Sequence, residues 1–480
     1  MTGPSAESAA PRAATTPGSR APAVYWFNPS CEEEVARGRP GHQPTRLPCL
    51  LAEDLESLPL LLAGEHDVVL VRRTPSPAYL DALRQAGIPV PAFAEYGADR
   101  LTGGELGGRP LTDLRPWGWS PDSAAFLAPL APSAPPGSLR WHAGLRCLYS
   151  KAWSAQLLRT FLQGRDEPWL CDASVVGAEC RTRAQVQAEL DRVHRQGHPR
   201  AVVKAAFGQS GRHQTQVAAG GLQPHQGRWL ERILDEQGSV VVEPWLDRLC
   251  DLSFHLDVTA PGRATALGWT HFVADARGRY RASWVRAEEG ALPPPARGVL
   301  AGARLRPLLD GVAACVAAAT ADSGYAGPVG VDALVFRDGD AARLKPIVEV
   351  NPRFTMGRIA LALRPHVSSE ATALWAVLSL PQVRAAGFAD LAGLAAHLGS
   401  RCRLQLDSST GQVARGALCT ADLQQGRAFG TVLVAGGAAA ECAGLACLDL
   451  PQCGHMGAGQ TTPAPPPDGG PSSSATGCSA

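Results

Sequence analysis

Two apolar strands with polar residues set into one end constrain this chain more than any other feature: VGVDALVF (Val329–Phe336) and PIVEVNPR (Pro346–Arg353). Residues two apart on a strand face the same side, so Glu349 and Asn351 project together. A turn at Asp338-Gly339 pairs the strands as a hairpin and sets Asp332 beside Glu349. Three oxygen donors then converge at one end of a buried hairpin. A hard cation such as Mg²⁺ prefers that donor set and keeps positions open for phosphate oxygens.

The surrounding pattern is mixed α/β. Val24–Pro29, Asp67–Arg73 and Ile88–Phe93 read as short buried strands, with a helix at Ser76–Ala86 ending at Gly87. Strand, helix and strand with short links form a βαβ signature, so residues 23–143 read as a small α/β domain. Residues 144–397 follow with helices at Gly144–Gln163, Arg183–Gln196, Arg228–Glu236 and Val299–Ser323, strands at Ala201–Lys204 and Val240–Leu246, and antiparallel runs at Phe254–Val258, Ala264–Val273 and Tyr280–Val285. A helical zone is expected after the hairpin to about 397. Residues 398–455, with RCRLQL (Arg401–Leu406) and GTVLVAG (Gly430–Gly436), read as a small β-rich end piece. Residues 1–22 and 456–480 are low-complexity tails, too poor in apolar groups to order themselves.

Two scarcities sharpen the search for function. Lysine occurs only at Lys151, Lys204 and Lys345, so 42 of the 45 basic residues are arginine. Asparagine occurs only at Asn28 and Asn351. Where arginine has replaced lysine so widely, the surviving lysines are enriched for positions that need a compact ammonium, as in a phosphate cleft. KAAFGQSGR (Lys204–Arg212) places such a lysine at a strand end before Gly208, Ser210 and Gly211, a loop whose N–H groups can wrap phosphates. It is neither a P-loop nor a dinucleotide fingerprint, because the lysine precedes the glycines. VVVEPWLDRLCD (Val240–Asp251) brings Glu243, Trp245, Leu246 and Asp251 to the end of an apolar strand, a composition suited to a base and a ribose. Lys345, at a strand start, has no evident role.

Global properties exclude other classes. With 45 basic and 44 acidic residues, the net charge of +1 gives no field to draw the chain onto nucleic acid or an anionic membrane. No run of about 18 apolar residues and no secretory signal is present. Thirteen scattered cysteines suit reduced thiols, so a cytoplasmic address is expected. The spacing of Cys442, Cys447, Cys453 and His455 lacks the close pairs of structural zinc sites.

Taken in order, Lys151, the Lys204 loop, Glu243-Pro-Trp-Leu, Asp332 and Glu349-Val-Asn351 resemble the ATP-grasp superfamily of carboxylate ligases, relatives of D-alanine–D-alanine ligase, carbamoyl-phosphate synthetase and biotin carboxylase. The resemblance covers about residues 145–370. It implies a pre-ATP-grasp α/β domain, then a two-subdomain grasp of α+β type (144–245 and 246–397). It further implies that Lys151 and Lys204 hold nucleotide phosphates, that Glu243, Trp245 and Leu246 receive adenine, and that Asp251 binds ribose. Asp332, Glu349 and Asn351 match the ligands of Mg²⁺ or Mn²⁺. Arg353, after Asn351-Pro352, matches an arginine that faces the phosphoryl or acyl oxyanion. D-Alanine–D-alanine ligase carries an arginine two residues before the metal aspartate, where this chain has Gly330. The chain has no lysine for the further phosphate contact that some members make from the antiparallel strands; Arg281 or Arg286 could substitute, although strand arginines are more often solvated.

The expected reaction is ATP-dependent activation of a carboxylate as an acyl phosphate, followed by attack of an amine, with amino-acid or peptide-like partners. The alternatives are an ATP-grasp kinase with a stable phosphorylated product and a nucleotide-binding regulator without turnover. Homo-oligomerisation stays open.

Overall fold

The computed structural model describes residues 20–97, 101, 106, 108–208, 213–275, 278–286, 292–301 and 304–436. The N-terminal part contains β1 (Ala23–Trp26), α1 (Cys31–Arg37), α2 (Arg46–Asp54), β2 (Val68–Val71), α3 (Pro77–Gln85), β3 (Ala92–Glu95), β4 (Asp113–Pro116) and α4 (Pro121–Leu127). Its four strands form a parallel sheet in the order β3-β2-β1-β4. The order reverses between β1 and β4, so the segments leaving these two strands open a crevice at their carboxyl ends. Asn28 bridges that crevice: its Nδ2 donates to the Gly118 carbonyl at 2.8 Å and its Oδ1 accepts from the Gly118 amide at 3.2 Å. An amide side chain offers a donor and an acceptor on adjacent atoms, matching the carbonyl and N–H of one residue, which accounts for one of the two asparagines.

The middle of the chain runs through α5 (Lys151–Leu162), β5 (Ala178–Cys180), α6 (Arg183–Arg195), β6 (Arg200–Ala205), β7 (Gln214–Ala218), α7 (Pro224–Gln237) and β8 (Val240–Pro244). Its strands form a second sheet, antiparallel, in the order β5-β8-β6-β7. Helices α6 and α7 pack on it through Val186, Leu190, Leu230 and Ile233. The third sheet has nine strands, all antiparallel. It is built from β9 (Asp247–Ala260), β10 (Arg263–Ala274), β11 (Tyr280–Arg286), β12 (Gly327–Asp338), β13 (Ala341–Asn351), β14 (Ala373–Ser379), β15 (Gln405–Leu406), β16 (Val413–Cys419) and β17 (Phe429–Ala435) in the order β13-β12-β9-β10-β11-β14-β17-β16-β15. Helices α8 (Pro294–Leu300), α9 (Leu305–Thr320), α10 (Met356–Leu363), α11 (Leu380–Ala385) and α12 (Leu391–Arg401) complete the described chain.

The α/β class holds, and several local expectations need correction. The helix expected over Gly144–Gln163 starts only at Lys151. Ala143–Tyr149 forms a 3₁₀ turn, and extended Ser150 caps α5 by accepting from the Ala152 amide at 3.2 Å. The single helix expected over Val299–Ser323 is two helices broken at extended Ala301, because Pro307 is tolerated only in the first turn of a helix. The third short strand moves from Ile88–Phe93 to Ala92–Glu95, since Pro89 and Pro91 have no N–H for a ladder. Within the expected helical zone, the apolar run Ala373–Ser379 is a strand that joins β11 to β17. β15 to β17 therefore continue the same sheet as the hairpin.

Two cores fix the relation of the sheets. One lies between the nine-stranded sheet and helices α5 and α9, with Phe254, Leu256, Leu158 and Val316. The other joins the parallel sheet to the far half of the large sheet through Tyr25, Phe27, Trp117, Phe354 and Trp375. No helix among the described residues is long and apolar enough to cross a membrane.

Candidate active site

The hairpin has the expected register. Asp332 pairs with Glu349 and Gly330 with Asn351, and the ladder shifts just after Asp332. Asp332 also lies opposite Ser253 of β9. Asn351 Nδ2 donates to Asp332 Oδ2 at 3.2 Å. Burial, and next the nearby Glu349 carboxylate, pushes the Asp332 carboxyl up to about 7. No group of three His, Cys, Asp or Glu side chains suited to a metal exists among the described residues; here two carboxylates adjoin one amide, whose oxygen accepts from Arg353.

All three lysines come to this neighbourhood. Lys151, first residue of α5, donates its amide to the Ala206 carbonyl at 2.9 Å. Its Nζ donates to the Gly208 carbonyl at 2.8 Å and pairs with Glu349. Lys204, near the end of β6, pairs with Glu243 Oε1. Lys345 of β13 donates to Glu243 Oε2 at 2.7 Å and to the Val175 carbonyl at 2.9 Å. Burial works to raise the Glu243 carboxyl, but the two ammonium groups outweigh it and hold it at about 2. Ser210 and Gly211 of the expected phosphate loop lie outside the described residues, as do Cys442, Cys447, Cys453 and His455.

Trp245 and Leu246 carry the chain from β8 of the small sheet to β9 of the large one, with the Trp245 amide donating to the Arg200 carbonyl at 2.9 Å. Asp251 on β9 accepts from Arg248 Nη1 at 3.0 Å, and burial lifts its carboxyl to about 6 against that arginine. Lys204, Glu243, Leu246, Asp251, Asp332 and Glu349 line one cleft between the two sheets, with a volume of about 110 Å³. Sites for small molecules usually enclose about 300–1,000 Å³. The Lys345–Glu243 pair joins the two sheets across this cleft and Lys204 pairs with Glu243 within the small sheet, so a ligand of nucleotide size needs more room than the cleft offers.

Arg353 leaves the hairpin toward the parallel sheet. Its Nε donates to Glu32 Oε1 at 2.6 Å, its Nη2 to Asn351 Oδ1 at 2.9 Å and its Nη1 to the Phe354 carbonyl at 3.0 Å. Glu32, on α1, was not legible as a site residue, because CEEEVAR reads as a solvated acidic first turn. The structure buries Glu32 and Glu34 and leaves Glu33 half-buried. A cavity of about 470 Å³ adjoins Arg353 at the carboxyl ends of β1 and β4, lined by Tyr25, Trp117, Trp119, Arg140 and Arg358. A Cβ on Gly330 would stand 2.5 Å from Thr355 Cγ2, so no arginine fits there. Arg286 donates to the Val367 and Arg364 carbonyls and is committed outside the cleft.

No family model matches the sequence, and no curated protein matches it. Solved structures to which the chain is similar include N5-carboxyaminoimidazole synthetase from Staphylococcus aureus complexed with ADP, at 11% identity and a TM-score of 0.44, covering 86% of this chain and 92% of that one. Carboxyaminoimidazole ribonucleotide synthase from Aspergillus clavatus complexed with ATP is 14% identical, with a TM-score of 0.42 and coverage of 86% and 93%. Biotin carboxylase from Campylobacter jejuni is 11% identical, with a TM-score of 0.39 and coverage of 86% of each chain. The functional reading rests on the chain's own residues.

Proposed function

We propose that the chain is an ATP- and Mg²⁺-dependent ligase that activates a substrate carboxylate as an acyl phosphate for attack by an amine. The observation that carries this reading is the meeting of all three lysines with the carboxylates of one cleft, in a chain whose other basic residues are arginine. Without ligand, Lys151 and Lys204 satisfy Glu349 and Glu243. With nucleotide bound, both turn to its phosphates, helped by the backbone around Gly208, Ser210 and Gly211, while Glu243, Trp245 and Leu246 receive the base and Asp251 the ribose hydroxyls.

Asp332 and Glu349 would hold the divalent cation, joined by Asn351 once its amide turns the oxygen that accepts from Arg353 toward them. The fit rests on their chemistry: burial, and after it the neighbouring Glu349 carboxylate, pushes the Asp332 carboxyl up to about 7, and a hard cation offsets both the lost hydration and the repulsion. When bound, the cation supplies charge neutralisation during phosphoryl transfer. A carboxylate oxygen of the acid attacks the γ-phosphorus and the bond to the β–γ bridging oxygen breaks, releasing ADP. The amine nitrogen then attacks the acyl carbon, inorganic phosphate leaves, and the amine loses a proton. Arg353, steadied by Glu32 and Asn351 beside the 470 Å³ cavity, faces the acid and offsets charge on its oxygens.

Hydroxylamine tests the reading. Supplied with ATP, Mg²⁺ and pools of amino acids, dipeptides or small diacids, the enzyme should release ADP and yield a hydroxamate from the correct acid. ADP release with a stable phosphorylated product would replace the ligase with a kinase, and absence of nucleotide binding would remove both.

A further inference from the structure

Lys345 is the one lysine that the reading above leaves without work. It is 2% exposed, on β13 four residues before Glu349, with its Nζ fixed between the Val175 carbonyl at 2.9 Å and Glu243 Oε2 at 2.7 Å. Glu243 therefore lies between two ammonium groups of different origin. Lys204 reaches it from the same small sheet, beside the Gly208 loop, and has no second protein partner among the described residues. Lys345 reaches it from the large sheet and is tied down twice.

If Lys204 turns to a phosphate, Glu243 keeps only what Lys345 provides. A buried carboxylate stripped of every cation is strongly destabilised and either takes up a proton or retains its partner. Either outcome without Lys345 would oppose nucleotide binding. Resting on the nucleotide reading of the cleft, we propose that Lys345 is a positioning residue, the fixed counter-ion that keeps Glu243 ionised and in place so that Lys204 is free to move to the nucleotide. Arg248, Asp251, Asp332 and Glu349 are the other charged groups lining the cleft, and none of them is hydrogen-bonded to Glu243.

The test is the pH dependence of Mg-ATP affinity in wild type and Lys345→Met, taken as a ratio so that the nucleotide's own ionisation cancels. In wild type Lys204 and Lys345 together hold the Glu243 carboxyl at about 2 before nucleotide binds, and Lys345 keeps it ionised between pH 5.5 and 8 once Lys204 leaves. In Lys345→Met, release of Lys204 leaves Glu243 with a raised affinity for a proton, so binding gains that proton. The variant should bind at least about tenfold more weakly at pH 8, and the deficit should shrink as pH falls. Glu243→Gln needs no counter-ion. Adding Lys345→Met to it should therefore leave affinity within about threefold, with the double variant folded.

A pH-independent ratio, or a loss of tenfold or more on adding Lys345→Met to Glu243→Gln, would overturn the proposal while leaving the nucleotide site intact. Should Lys345→Met alone not fold, the double variant decides the matter, and its failure to fold would make Lys345 purely structural. Wild-type protein that binds no Mg-ATP would instead remove the nucleotide reading itself.

Discussion

Glu349 is the residue where the charges of the site meet. It is paired across the hairpin with Asp332 and bonded to Lys151. Replacing it by glutamine keeps the shape but takes away a negative charge, and turnover should fall by at least about 10²-fold in a protein that stays folded. Wild-type turnover would refute its place at the cation. Lys204→Arg should weaken nucleotide binding although the charge is unchanged, because a planar guanidinium cannot turn from Glu243 to a phosphate in the space a compact ammonium needs; equal affinity by titration calorimetry would contradict this. Glu34 makes a different prediction. Burial lifts its carboxyl to about 7 against the Ser120 hydroxyl at 2.5 Å, so the folded state holds a proton that the unfolded state releases above about 4.5. Stability from this group is present below that value and is lost as pH rises to about 7. Glu34→Gln should accordingly gain about 3 kcal/mol at pH 8 and nothing at pH 4, read by denaturant unfolding. Sequence spacing located Asp332, Glu349 and Asn351 because strand periodicity is simple. It could not locate Lys345 or Glu32, whose partners lie 102 and 321 residues away.

At the scale of elements, the segments after β1 and β4 carry the contact between the parallel sheet and the hairpin. Gly118 sits there, held by Asn28 and bridged to Arg353. A Cβ at this position would lie 2.5 Å from Cys31 Sγ and 3.1 Å from Arg353 Cβ. Gly118→Ala should therefore destabilise the protein by about 1–3 kcal/mol and disturb Arg353, with partial recovery on adding Cys31→Ala. Unchanged stability in thermal melts would show that the crevice has slack. The strong alternation of the hairpin and the apolar runs of β1 and β2 were legible. β7, with the polar sequence QTQVA, carries no such signal, and Ala373–Ser379 is equally apolar as helix or strand until β11 and β17 claim it. The break at Ser150 mattered most, because it turns Lys151 from a mid-helix residue into the first residue of α5, directed at Gly208 and Glu349.

At the scale of the molecule, two sheets meet across a cleft whose lysines and carboxylates pair with one another. On the proposed reading the cleft holds nucleotide by exchanging partners, lysines to phosphate and carboxylates to cation, so nucleotide and cation should bind cooperatively. Titration calorimetry of ATP into the protein with and without millimolar Mg²⁺, repeated on Lys204→Met and Glu349→Gln, tests that exchange most directly. The account predicts tight binding to wild type only with Mg²⁺, a loss of affinity of at least about tenfold in Lys204→Met, and loss of the Mg²⁺ dependence in Glu349→Gln. No heat with wild type, or the same affinity in all three proteins, would contradict it.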